Sequence, residues 1–266
     1  MTHHILQTDG ARLSVTDTDG ADPALVFLHY WGGSSRTWAA VIERLAGAAR
    51  CIAVDQRGWG ESMATDGRYD LQAMAGDLLS VIDRLALRRY VLVGHSMGGK
   101  VAQIVAAGHP HGLAGLVLVA PAPPTPMKAP PEQRAAMLES YRTRAGVLQA
   151  LSVLAGSALP EALRDQVIAD TLRGAPGAKE AWTEAGMLEE VSAGLASVTV
   201  PVSVIVGERD QVEREPVLRE ALSAVFPQAR FTILKGVGHL SPLEAPEDVA
   251  NACVEFLDRL PPTNAG

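Results

Sequence analysis

A chain of 266 residues, 47% hydrophobic and 20% charged, can bury a sizeable core; it is not a disordered segment and suits one large domain better than two small ones. A net charge of −7 without any Lys/Arg-rich run argues against nucleic acid or an anionic membrane as partner. Met1–Arg12 has no basic stretch followed by an apolar one, and no apolar run approaches the ~18 residues of a membrane span, so a cytoplasmic protein is expected.

Ile5–Gln7 and Arg12–Thr16 read as a leading antiparallel hairpin. Apolar runs at Leu25–His29, Cys51–Asp55, Tyr90–Gly94, Leu113–Ala120, Val202–Gly207 and Arg230–Leu234 then alternate with helical patterns at Leu71–Ala86, Lys100–Ala107, Pro216–Val225 and Pro246–Leu260. This alternation predicts an α/β fold: a mostly parallel central sheet of about eight strands covered by helices on both faces. Cys51 and Cys253 sit among apolar neighbours without metal-ligand spacing, as buried free thiols would in a reducing compartment.

The alternation breaks once. Prolines crowd Pro121–Pro131, and the chain from there to Ala196 shows helical patterns only, around Glu132–Arg144, Val147–Ala155, Glu161–Leu172 and Ala178–Val191. A single crossover helix needs far fewer residues, so 122–196 is expected to be a helical lid inserted between strands 6 and 7, with 1–121 and 197–266 forming the core.

The most specific motif is Gly94-His95-Ser96-Met97-Gly98-Gly99, which follows a predicted strand and opens a predicted helix. A Gly-x-Ser-x-Gly turn in that setting lifts the serine oxygen clear of the backbone, with glycines where a Cβ would meet the crossing strand and helix. The helix start behind Ser96 favours developing negative charge.

Further motifs extend the pattern. His29-Tyr30-Trp31-Gly32-Gly33 resembles the His-Gly oxyanion loop of the α/β-hydrolase fold family, and Asp55-Gln56-Arg57-Gly58-Trp59-Gly60-Glu61-Ser62 its Asp-x-Arg-Gly-x-Gly-x-Ser turn. Gly207-Glu208-Arg209-Asp210 resembles the family's acid turn and Gly236-Val237-Gly238-His239 its histidine turn, in the expected order Ser, Asp, His. The likeness runs from about Leu25 to Leu260 and belongs to the serine-nucleophile branch of esterases, lactonases and cofactor-free haloperoxidases.

Elimination among the histidines also reaches His239. A base for Ser96 must lie at the C-terminal edge of the sheet. His3 and His4 are near the terminus, His109 and His111 follow the helix back to the opposite edge, and His95 should point away from its neighbour. His29 ends a strand at the correct edge but opens the oxyanion loop, where it reads as a structural hydrogen-bonder. For the acid, Asp210 follows a strand that should neighbour the last one. Asp55 lies far earlier, and Arg57 two residues on suggests a structural ion-pair turn. Glu208 is the competitor; the family resemblance favours Asp210.

The expected site is therefore Ser96, His239 and Asp210, with the backbone amide of Met97 and, by resemblance, that of Trp31 as oxyanion donors. Tyr30 stands where the family usually has glycine, and its hydroxyl could enter the pocket. Met127, Met137, Trp182, Met187 and Leu240 are the other candidate pocket residues. The expected partner is a small-molecule ester or lactone, with no metal and no organic cofactor called for. Carbon–carbon bond hydrolysis and perhydrolysis would use the same three residues. Perhydrolases usually carry proline after the loop aromatic, where this chain has Gly32. A small-molecule receptor on a hydrolase scaffold is the reading from another class. Dehalogenases and epoxide hydrolases of this fold use an aspartate nucleophile, and Ser96 argues against both.

Overall fold

Runs of Val, Ile and Leu that are apolar on both faces need cover on both sides, and they become the inner strands of one sheet. The computed structural model describes residues 1–262. Its strands are β1 (Thr2–Gln7), β2 (Ala11–Asp17), β3 (Ala24–Leu28), β4 (Cys51–Val54), β5 (Met63–Ala64), β6 (Tyr90–His95), β7 (Leu113–Val119), β8 (Val202–Gly207) and β9 (Arg230–Leu234). The order is β1-β2-β4-β3-β6-β7-β8-β9, with β5 paired to β2. Pairings of β2 with β1, β4 and β5 are antiparallel, and those from β4 to β9 are parallel.

Helices α1 (Ala39–Arg44), α2 (Leu71–Arg84), α3 (Met97–Ala107), α8 (Glu215–Val225), α9 (Ser241–Glu244) and α10 (Pro246–Asp258) belong to this frame. Alternate strand residues face opposite ways. Val26, Leu28 and Leu92 pack with α2, α3 and α8 through Leu78, Val101 and Leu222. Leu25, Phe27, Val91 and Val93 pack with α1 and α10 through Val41, Val249 and Phe256. The insertion, between β7 and β8, holds α4 (Pro131–Ser140), α5 (Arg144–Leu154), α6 (Glu161–Arg173) and α7 (Pro176–Glu184).

The chain leaves β3 for β4 on one side and returns to β6 on the other. The sheet therefore has its switch point between β3 and β6, where the loops after the two strands diverge and leave a crevice. Those loops begin at His29 and Ser96.

Several details differ from the sequence expectation. The sheet has nine strands rather than about eight, because the two-residue β5 is too short to show alternation. The insertion accordingly lies between the seventh and eighth strands, although its place in the chain is unchanged. The helix expected over Ala178–Val191 begins at Pro176 and ends at Glu184. Gly186 follows, a poor helix former lying so close under Trp182 that a Cβ there would be 2.9 Å from its ring. β9 is an edge strand with mostly exposed or half-buried residues, not one covered on both faces. Arg57 forms a structural ion pair, but not with Asp55: its guanidinium grips Asp77 at 2.7 and 3.0 Å and also reaches Asp66. The Asp55 carboxylate instead accepts from the amides of Ser35 and Glu61.

Candidate active site

The turn between β6 and α3 puts Ser96 at φ 51°, ψ −115°, in the positive-φ region that L-residues with side chains avoid. Close crossing of strand and helix holds it there, and its amide donates to Val119 O at 3.1 Å while its carbonyl accepts from Ala122 at 3.0 Å. A Cβ on Gly94 would lie 2.6 Å from Gly98 O and from Gly99 Cα, and one on Gly98 would lie 2.7 Å from the main-chain oxygens of Leu28 and His29. Both positions are therefore closed to any side chain. Ser96 is 8% exposed and His239 2%.

β8 and β9 are neighbours, and the turns after them bring acid and histidine together. His239 Nδ1–H donates to Asp210 Oδ2 at 2.8 Å, and His239 Nε2 lies 2.9 Å from Ser96 Oγ. The other carboxylate oxygen, Asp210 Oδ1, accepts from the amides of Val212 and Glu213 at 2.8 and 2.9 Å. With Nδ1 donating, Nε2 is left as an acceptor for the serine proton. Glu208 is exposed and accepts from the Gly236 amide at 2.9 Å, so it braces the histidine turn from outside.

His29 is buried and orients the loop after β3. The Gln56 amide donates to its Nε2 at 3.1 Å, which leaves Nδ1–H to donate to Tyr30 O at 2.7 Å. Burial pushes the pKa of this ring down, so it stays neutral. Tyr30 O also accepts from the Gly33 amide at 3.0 Å. That carbonyl belongs to the peptide whose N–H is Trp31's, and in a trans peptide the two point opposite ways. His29 and Gly33 thus fix the direction of the Trp31 amide. Among the described residues, neither the Trp31 nor the Met97 amide donates to a protein acceptor.

The candidate pocket residues divide. Trp182 and Met187 are buried in the same apolar cluster as Trp31 and Met97, and the half-buried Met127 and Met137 pack against it. Tyr30 and Leu240 belong to a separate cluster with Val147, Leu151, Val167 and Ile168 of α5 and α6. Trp182 and Met97 border a crevice with Tyr69, Leu71 and Met74 that encloses no water-sized volume. A surface hollow of about 490 Å³ touches Asp210 among Glu208, Arg209, Arg214 and Glu215, and none of the six candidates lines it.

Sequence reasoning missed Tyr141, whose ring stacks on Trp31 at 3.8 Å and 13° while its hydroxyl donates to Trp31 O at 3.3 Å. It also missed His95 as a contact of the histidine turn: the His95 Nε2–H donates to the His239 carbonyl at 2.8 Å. Burial drives the His95 pKa well down, leaving the ring neutral. No cluster of three or more His, Cys, Asp or Glu suited to a metal occurs among the described residues. No helix among them is long and apolar enough to cross a membrane.

Among the described residues the Tyr30 side chain has no hydrogen-bond partner, and it fills space between His95, at 5.1 Å ring to ring, and α5–α6. Tyr30→Phe is expected to change kcat/KM by less than about 0.5 kcal/mol, the low end for one net hydrogen bond. Steady-state kinetics on a folded variant check this; a loss confined to kcat would instead make the hydroxyl an oxyanion donor.

Residues 25–252 match the model of the alpha/beta hydrolase family. The chain belongs to that family. Over 96% of its length this alpha/beta hydrolase is 28% identical to a Bacillus subtilis protein, matched over 98%, that is provisionally named 2-succinyl-6-hydroxy-2,4-cyclohexadiene-1-carboxylate synthase. It is 29% identical to the pimeloyl-[acyl-carrier protein] methyl ester esterase of Edwardsiella ictaluri, over 88% of this chain and 93% of that one. Among solved structures, a thermophilic esterase from Thermogutta terrifontis superposes with a TM-score of 0.82 at 27% identity, covering 97% of this chain and 99% of the esterase.

Proposed function

We propose that this alpha/beta hydrolase is a serine hydrolase that cleaves a small carboxylic ester or lactone through an acyl-serine on Ser96. The observation that carries the reading is the unbroken hydrogen-bond chain from Asp210 through His239 to the strained Ser96. Esterases among the relatives support ester chemistry over other acyl transfers.

In this reading His239 Nε2 takes the Ser96 proton as Oγ attacks the substrate carbonyl. Asp210 holds Nδ1–H and stabilises the imidazolium that forms. Negative charge develops on the carbonyl oxygen, towards the Met97 and Trp31 amides and the start of α3. Collapse of the tetrahedral species expels the alcohol with the proton from His239. Water, deprotonated by the same histidine, then attacks the acyl-serine and releases the acid. Residues 122–196 act as the lid over the nearly buried Ser96.

The rival reading is cleavage of a carbon–carbon bond by the same three residues. A panel of aryl esters, lactones and vinylogous diketones with the purified protein tests both. Multiple turnover of an ester or lactone is expected. Turnover of the diketone alone would transfer the site to carbon–carbon chemistry, and stoichiometric binding without turnover would make the protein a receptor.

A further inference from the structure

Glu244, at the end of α9, stands outside the hydrogen-bond chain, yet its carboxylate gathers main-chain amides from two segments far apart in sequence. Its Oε2 accepts from Gly156 at 2.8 Å, just past α5, and its two oxygens accept from Gly238 at 3.2 and 3.1 Å. Gly238 immediately precedes His239. Burial raises the Glu244 carboxyl above its ordinary pKa, and the amides of Gly238, Gly156, Ser157 and Leu240 offset that rise only in part. The two segments touch closely: a Cβ on Gly156 would lie 2.5 Å from Gly238 N. Arg209, which donates to Gly156 O, adds an outer tie.

The main chain of His239 is held on its other sides as well. Its N–H donates to Leu154 O, at the last residue of α5, at 2.8 Å, and the Leu240 amide donates to the same oxygen at 3.2 Å. Its carbonyl accepts from His95. The turn carrying the imidazole is thus clamped between the elbow, the C-terminal end of α5 and the Glu244 carboxylate. An imidazole bridging two partners tolerates little displacement: about 1 Å of misplacement can cost on the order of a hundredfold in rate.

We propose that Glu244 is a positioning residue for His239, and that through it the end of the inserted helix α5 forms part of the catalytic apparatus rather than a cover alone. This rests on the assignment of His239 as base. A carboxylate is suited to the task because it accepts several amides at once and donates to none. Among the described residues, Glu244 is the one side chain that accepts from both Gly156 and Gly238.

The test compares Glu244→Ala, Glu244→Asp and Glu244→Gln with the parent on an aryl ester, recording kcat, KM and thermal unfolding. In folded Glu244→Ala, kcat is expected to fall about ten- to hundredfold with KM nearly constant, as loss of alignment in the transition state requires. Glu244→Gln keeps one acceptor oxygen and should recover much of the rate, whereas the shorter Glu244→Asp should not. A Glu244→Ala protein that is less stable but has the parent's kcat would overturn the proposal. If that variant does not fold, an unchanged kcat in Glu244→Asp overturns it equally. His239→Ala serves as the separate control: activity retained there removes the base assignment, whatever Glu244 does.

Discussion

Ser96→Ala is expected to lower kcat by about 10⁶-fold, the loss seen when one member of a cooperating nucleophile–base set is removed. At 1.36 kcal/mol per decade this is roughly 8 kcal/mol of transition-state stabilisation. The fold should tolerate the change, because the strain at φ 51° is carried by the backbone and Cβ, which alanine keeps. Unchanged unfolding with vanishing turnover is therefore the expected pair of measurements. His239→Ala should fall to a similar residual rate, and the double variant should be little worse than either alone, since the two act as a unit.

Asp210→Asn should cost kcat about 10⁴-fold, roughly 5.5 kcal/mol. The geometry around the carboxylate gives the reason. Oδ1 accepts from the Val212 and Glu213 amides, so an asparagine must place its oxygen there. Its NH₂ then faces His239 Nδ1, which must become the acceptor, and the ring proton moves to Nε2. An Nε2–H cannot take the serine proton. Glu208→Gln, by contrast, retains an acceptor for the Gly236 amide on an exposed side chain and should leave kcat nearly unchanged. Steady-state kinetics on both variants check the assignment, and a reversal of the two outcomes would make Glu208 the functional acid.

The parts of the site legible in the sequence are those with local steric demands. Gly94 and Gly98 announce the elbow because backbone crosses within 2.6–2.7 Å of where their side chains would be. His239 is reachable by elimination because strand order fixes which turns share an edge of the sheet, and β8 beside β9 brings Asp210 to it. Contacts made by the insertion carry no such signal. Tyr141 stacks on Trp31 across a gap of 110 residues, and Leu154 and Gly156 meet the histidine turn across more than 80. Periodicity identifies α4–α7 as helices, but it does not say which side chains their docking brings together. The six pocket candidates, chosen for apolar character, accordingly separate into two clusters. Helix ends and the short β5 are lost for the reverse reason: too few residues carry each signal.

Acylation of Ser96 is tested most directly by a fluorophosphonate probe with intact-mass and peptide analysis. One equivalent of adduct per chain is expected, located on the peptide containing Gly94–Gly98, and none on Ser96→Ala. Labelling of equal extent in Ser96→Ala, or an adduct on any other residue of the parent, would contradict it.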